Sequence, residues 1–317
     1  MFKWYKKLKR DLTSRQKCLV VLTTIVILYT LGLLDKLSEK SYDEFEWESD
    51  VNSKFEFPRY TRLPKCKIEK NVNRRLLILI KSSSKHHNMR DAVRNTWGKY
   101  QIVNNVEITP LFIIGRNRNL NEEGKIDKEY EAYKDIISIN SIDSYRNNTY
   151  KLFAAINFAN SPIDCPIPDF VLMVDDDYMV HIPNLVKFLS TKSNDDLIYE
   201  GFVFDSSPFR FVLHKHRISL TEYPYSRYPP YVSAGSVFMN SKTVKLFHEV
   251  IPKLKIFPFD DVFTGIVAKT VRVPAKHNEN FVFWSRHISK NEWNEGIIAA
   301  HGYARQDLET EYNNIFD

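Results

Sequence analysis

Residues 169–177 read Asp-Phe-Val-Leu-Met-Val-Asp-Asp-Asp, an apolar run that ends abruptly in three carboxylates, Asp175, Asp176 and Asp177. A run this short fits a buried strand better than a helix. Three adjacent acids repel one another, so the pattern makes sense only if they are solvated or neutralised by a cation. Alternate residues on an extended chain point the same way, which lets Asp175 and Asp177 face one ligand together. Hard oxygen donors suit Mg²⁺ or Mn²⁺, ions that bind through one or two carboxylates plus phosphate oxygens. The plain alternative is a solvated acidic turn, which an isolated triplet would usually be. A triplet abutting four apolar residues is much less often so.

The surrounding chain alternates two periods. Residues 75–82, 107–114, 135–139 and 169–174 read as short strands; residues 88–97, 121–134, 145–159 and 181–190 read as helices, the last opened by Pro183. Such alternation predicts an α/β domain with a largely parallel sheet, beginning where the period changes at Arg74 and running through residues 74–317. In open sheets of this kind ligands bind at the carboxyl ends of the strands, where the triplet is expected. A second acidic pair, Asp260-Asp261, sits in FPFDDVFTG before a helix-like run at 262–269. Asp261 is a candidate desolvated general base, and Asp260 a candidate helix cap. Capping explains one acid there, not two among aromatics. The sequence has no P-loop, Gly-x-Gly-x-x-Gly turn, Gly-x-Ser-x-Gly elbow or Cys-x-x-Cys zinc spacing. His86-His87 reads most simply as a polar loop.

The formal charge of +6 invites a nucleic-acid reading, but its placement argues otherwise. Residues 1–17 hold seven bases and one acid; removing them from the totals of 45 and 39 leaves 38 of each. Residues 18–34 carry no charge, and as a helix they would span about 25 Å, close to the roughly 27 Å of a thin bilayer. A signal anchor is favoured over a cleaved signal peptide, whose apolar region is usually shorter, and over a buried core helix. The positive-inside rule then leaves residues 1–17 cytosolic and places the rest in the lumen. Residues 35–73, acidic at first and without a sustained period, read as a stem. Cys66 and Cys165 remain for an oxidising lumen, either paired or as two free thiols. One sequon, at Asn147, is usable if lumenal and exposed.

Several segments together resemble the β-1,3-galactosyltransferase family of Golgi glycosyltransferases. LLILIKSSSKHHNMRDAVRNTWG at 76–98 is similar to the family's opening strand and R-x-x-x-R-x-T-W-G helix. DSYRNNTYK at 143–151 resembles its D-S-Y-x-N-L-T-x-K segment, and Val174-Asp-Asp-Asp177 its D-x-D position. YPPYVSAGSVF at 228–238 resembles its Y-P-P-Y-C-S-G-x-G-Y segment, and FDDVFTG its E-D-V-x-x-G motif. Five motifs in the family's order span nearly the whole expected lumenal part, from Cys66 to His301.

The resemblance implies a GT-A fold on a signal-anchor helix, a single-pass type II Golgi membrane protein, and inverting transfer of a hexose from a UDP-sugar in β-1,3 linkage. UDP-galactose is the leading donor, with UDP-GlcNAc or UDP-GalNAc behind it, and the acceptor is a glycan on protein or lipid. By carry-over Asp177 would ligate Mn²⁺, Asp175 would lie near the ribose or metal, and His301 would add a metal ligand. Asp261 would be the base, with Asp260 beside it. Arg90, Arg94, Asp143, Lys151 and Asp176 would lie on the donor side, with Lys81 a weaker candidate. Tyr231, Ser233 and His216 would line the acceptor side, Cys66 and Cys165 match family cysteines, and Asn147 falls in the family's sequon. Departures concentrate on the acceptor side: Val232 replaces Cys, Ala234-Gly235-Ser236-Val237 replaces the G-x-G-Y run, and His216 stands where Trp is common. No nucleic-acid partner is expected, and a homodimer is left open. Two other readings compete, a metal-dependent phosphoryl hydrolase built on Asp175 and Asp177, and a lumenal chaperone or carbohydrate-binding relative without turnover. Retention of both acidic sites argues against the latter.

Overall fold

The computed structural model describes residues 13–49, 55–144, 147–303 and 307–316. The chain divides into two compact units, Met1–Glu46 with Asp205–Tyr228, and Trp47–Phe204 with Pro229–Asp317.

In the first unit Thr13 and Gln16 form a capping box that starts helix α1 (Ser14–Thr30), and Gly32, at φ +71°, turns the chain into a short α2 (Leu33–Leu37). No residue of α1 is buried. Among the described residues no helix is long and apolar enough to cross a membrane. Residues 35–46, expected to be a tether, are instead held in place. Glu39 pairs with Arg210 at 2.8 Å, and the Phe45 ring lies 5.1 Å from that of Tyr225. Their partners lie over 150 residues away in sequence, which is why no local period announced them.

The second unit begins with β1 (Tyr60–Arg62), also inside the expected stem. It continues through β2 (Arg74–Lys81), α3 (His87–Asn95), β3 (Ile102–Val103), β4 (Val106–Arg116), α4 (Leu120–Tyr133), β5 (Ile136–Ile142), α5 (Asn148–Asn160), β6 (Phe170–Asp175), β7 (Tyr178–Val180), α6 (Ile182–Ser190) and β8 (Tyr199–Phe204). Beyond residues 205–228 follow β9 (Tyr231–Asn240), α7 (Ser241–Val250), α8 (Asp260–Thr270), β10 (Lys276–His277), β11 (Phe281–Val282), α9 (Lys290–Glu295), β12 (Ala299–His301) and α10 (Asp307–Phe316). The four expected strands are β2, β4, β5 and β6, and the expected helices are α3 to α6 and α8, with ends moved by a few residues. Residues 145 and 146, at the start of one expected helix, lie outside the described residues.

The main sheet runs β1-β5-β4-β2-β6-β9-β8-β10, with β3 on β4. Strands β5, β4, β2 and β6 are parallel, as the helical crossovers require. The expectation of a largely parallel sheet fails beyond β6, because β9 is antiparallel to both β6 and β8 and the sheet is mixed. No crossover helix separates β8 from β9, so these consecutive strands pair as antiparallel neighbours. Leu76, Ile78, Ile80, Leu172, Val174 and Phe238 are buried at its centre, each such side chain contributing about 1.5–3 kcal/mol of burial. A disulfide joins Cys66 to Cys165 across 99 residues; by loop entropy a closure of that size stabilises by about 4–5 kcal/mol.

Two features of this topology build the site. Parallel register sets Lys81, the last residue of β2, opposite Asp175, the last of β6. A three-stranded sheet, β11-β12-β7, sets His301 opposite Tyr178 and so brings the C-terminal region against the acidic triplet.

Candidate active site

Lys81 is the hub. Buried at the end of β2, its Nζ lies 3.0 Å from Asp175 Oδ1 and 2.8 Å from Asp260 Oδ2, so one cation joins the two acidic motifs. Burial alone would lower the lysine pKa, but the two carboxylates outweigh it and raise it above its ordinary value. The same crowding acts on the acids. Burial pushes Asp175 up to about 6, with Asp177 and Asp260 adding to it against the pull of Lys81. Burial together with the Asp260 charge pushes Asp261 up to about 7.

Asp260 and Asp261 form the first turn of α8, where the positive end of the helix dipole favours carboxylates. Asp260 is not the cap: Phe259 holds that position and caps through no side chain. Asp261 Oδ1 accepts from the adjacent Val262 N–H at 2.8 Å.

Within the triplet the side chains divide as alternation requires. Asp177 Oδ2 lies 3.2 Å from His301 Nε2, and that bond, followed by the Asp177 charge, raises the imidazole pKa. Asp177 Oδ1 is buried and has no hydrogen-bond partner among the described residues. Asp176 is turned into the protein, accepting from Ser82 Oγ at 2.6 Å with His86 Nδ1 at 2.9 Å. His86 and His87 are therefore more than a polar loop: His87 Nδ1 lies 2.7 Å from Glu129.

The residues assigned to the donor side by resemblance are tightly engaged. Lys151 Nζ lies 2.6 Å from Asp143 and donates to Ser82 O at 2.8 Å, while Asp143 also accepts the Ser84 N–H. Burial would raise the Asp143 pKa, but the Lys151 charge overrides it and holds it low. Arg90 is fully buried and donates to Glu129, Ser82 Oγ and Ser83 O. These three side chains brace the loop after β2 from below. Arg94 bonds Asp91, Glu129 and Asp135, and its guanidinium lies 3.9 Å from the Tyr133 ring centre. Asp135 immediately precedes β5, so Arg94 ties α3 to the start of that strand.

Of the residues assigned to the acceptor side by resemblance, Tyr231 and Ser233 are buried at the start of β9. In the altered segment, a Cβ on Gly235 would collide with the Tyr178 hydroxyl. His216 belongs to the first unit, where burial lowers its ring pKa and its N–H donates to His214 Nδ1 at 3.2 Å. Asn147 Nδ2, the atom that would carry a glycan, donates to Ile142 O at 2.7 Å.

Sequence reasoning passed over the aromatic wall beside His301. Phe283 stacks on that imidazole at 6.0 Å, and Phe202, Phe204 and Trp284 surround Phe283. Trp284 remains 62% exposed, so its face is open to a ligand. The FVFW string at 281–284 was the available signal.

The oxygen donors suit a divalent ion: Asp177 has a buried orphan oxygen, and Asp175 faces the same space. Among the described residues no three His, Cys, Asp or Glu side chains converge to hold an ion unaided. A metal here would need oxygens from the ligand as well, the usual arrangement for ions bound with phosphates. These features define a class, an α/β enzyme whose acidic strand end suits a cation and a diphosphate.

The family described as Galactosyltransferase matches residues 88–279. The chain is 54% identical over 318 residues to beta-1,3-galactosyltransferase bre-5 of Caenorhabditis elegans, covering 99% of each. It is 31% identical over 300 residues to beta-1,3-galactosyltransferase brn of Drosophila melanogaster, covering 90% of this chain and 91% of the relative. A solved galactosyltransferase, LgtC with donor and acceptor sugar analogs, is 14% identical, covering 75% of this chain and 94% of the other; its TM-score of 0.38 adds no argument. The chain belongs to the galactosyltransferase family and is a UDP-sugar-dependent glycosyltransferase.

Proposed function

We propose that the protein is an inverting transferase of the GT-A type that moves galactose, or an N-acetylhexosamine, from a UDP-sugar onto a glycan in β-1,3 linkage. One observation carries this reading. Lys81 joins Asp175 to Asp260 and so links two acidic motifs of different character: the triplet, where Asp177 has an oxygen left for a cation, and the pair, where the Asp261 carboxyl is pushed up to about 7. A base of that pKa is matched to working near neutrality, and such a base contributes about 10²–10⁴-fold.

Asp177 would hold Mn²⁺ together with oxygens of the ligand, Asp175 and His301 lying beside it, and the ion would supply charge neutralisation for the departing diphosphate when bound. Asp261 takes the proton of the acceptor hydroxyl as its oxygen attacks the anomeric carbon. The carbon–oxygen bond to UDP breaks on the opposite face, so the configuration inverts. Lys81 positions Asp175 and Asp260, and Asp143, Lys151 and Arg90 hold the loop after β2 at the donor side. The exposed Trp284 ring, set edge-to-face against Phe283, offers an aromatic surface against which the C–H bonds of a sugar pack. Incubating the protein with UDP-galactose, UDP-GlcNAc and UDP-GalNAc plus Mn²⁺ should release UDP from one of them in the presence of acceptor. UDP binding without release from any donor would overturn the catalytic assignment.

We also read residues 18–34 as the anchor of a single-pass type II Golgi membrane protein with its catalytic part in the lumen. The seven basic residues before it support this, as do the exposed Leu19, Leu22, Ile25 and Val26 of α1. An anchored chain should stay with the membrane pellet through alkaline carbonate extraction; release into the supernatant would count against the anchor.

A further inference from the structure

In the first unit, residues 209–213 (Phe-Arg-Phe-Val-Leu) reverse the usual order of inside and outside. Phe209 is 51% exposed, Phe211 38% and Leu213 77%, whereas Arg210 between them is 2% exposed. A buried guanidinium is tolerated only when its donors are satisfied. Those of Arg210 reach Glu39 at 2.8 Å, Ile218 O at 2.9 Å, Tyr223 O at 2.8 Å and Tyr225 O at 3.1 Å. That set rivets the segment to the rest of its unit. The apolar side chains therefore point outward from a fixed frame, not for want of one.

The frame abuts the end of α1. Val212 N–H donates to Thr30 O at 3.0 Å. Gly32 lies so close that a Cβ there would meet Arg210 backbone and Cβ atoms at 2.5 to 2.6 Å. Exposed apolar side chains occur on both of these neighbouring segments, Ile27 and Leu31 toward the end of α1 and Phe209, Phe211 and Leu213 in the loop. Exposed Lys215 follows directly after the loop. Single exposed apolar residues are ordinary, but several on two hydrogen-bonded segments, with a base close by, mark a surface that something covers. Apolar side chains beside Lys or Arg are the composition of a segment that lies in a membrane interface.

We propose that residues 209–213 are a second lipid contact. Phe209, Phe211 and Leu213 enter the headgroup–acyl boundary of the leaflet from which the end of α1 emerges, and Lys215 faces anionic headgroups. The proposal rests on the reading of α1 as a membrane anchor. A lone helix leaves its unit free to swivel, whereas a second contact beside it sets the orientation of that unit on the bilayer.

The test uses the full chain with Cys18→Ser, which removes the free thiol, and one introduced cysteine, Leu213→Cys or Ile25→Cys. Each is labelled with an environment-sensitive fluorophore in phosphatidylcholine–phosphatidylserine vesicles carrying a quencher near the headgroup or deep in the acyl chain. The Leu213→Cys label should lose roughly half its emission to the shallow quencher and much less to the deep one, as an interfacial depth requires. The Ile25→Cys label should respond to the deep quencher. If it does while the Leu213→Cys label emits as in water, the loop contact is wrong and the anchor stands. A blue-shifted but unquenched Leu213→Cys label would mean that protein, such as a second copy, covers the patch, which also overturns the proposal. If neither label is quenched, the anchor reading fails and takes the loop contact with it.

Discussion

In the proposed reaction Asp261 and Asp177 divide the chemistry because their surroundings treat a negative charge differently. Asp261 loses solvation and faces Asp260, which pushes it up to about 7, so it must lose its proton before it can accept one. Activity should therefore rise with pH through about 7 and fall below it, a limb that Asp261→Asn abolishes. That variant should lose about 100-fold or more in kcat while keeping its affinity for UDP and metal, and titration calorimetry beside steady-state kinetics would separate the two. An equal loss of affinity would reassign Asp261 to the donor site. Asp177→Ala should weaken Mn²⁺-dependent UDP binding by roughly tenfold, about 1.4 kcal/mol; unchanged binding would remove Asp177 from the metal ligands. Both acids were legible from local pattern, an apolar run meeting carboxylates. Lys81 was legible only as a cation at the end of an apolar strand, because its partners Asp175 and Asp260 lie 94 and 179 residues away and meet it through sheet register and helix docking.

At the scale of elements, Glu129 of α4 holds α3 in place. It takes two bonds from Arg90 and one from Arg94, and it is nearly buried. Burial would raise its pKa, but the bonds from the two arginines prevail and hold it at about 2, against 4.5 for a free glutamate. The stabilisation is thus fully present above about 4.5 and is lost as pH falls toward 2. Glu129→Gln leaves Arg90 buried without its countercharge and should cost about 3–5 kcal/mol at neutral pH, read by denaturant unfolding. A change within 0.5 kcal/mol would mean that the pair contributes little net stability. The assignment of Arg90 and Arg94 to the donor side came from motif resemblance, which registers that a residue recurs but not what it touches. Here both guanidinium groups are engaged by protein acids, with Arg90 also donating to the loop after β2 and Arg94 also bonding Asp135 at the start of β5. Likewise the parallel half of the sheet was legible from strand–helix alternation, while the reversal at β9 was not, since β8 and β9 are joined without a crossover helix.

For the whole molecule, the proposed membrane topology rests on charge asymmetry, and Asn147 tests it. If the domain is lumenal, endoglycosidase digestion should remove the mass of one glycan from the wild type and nothing from Asn147→Gln; an unshifted wild-type band would count against lumenal placement. The Asn147 Nδ2 donates to Ile142 O in the folded chain, a bond that the one N–H left after glycosylation can still make. The residues themselves determined what depends on neighbours in sequence: an apolar run behind seven bases, strands alternating with helices, and carboxylates at a strand end and a helix start. Tertiary structure alone decided which charges share Lys81, that His301 returns to Asp177, that the stem folds with distant segments, and that Arg210 points inward while Phe209, Phe211 and Leu213 point out. The reason is physical: hydrophobic period and charge order act over a few residues, whereas the field and solvation at a side chain depend on whatever the fold brings against it.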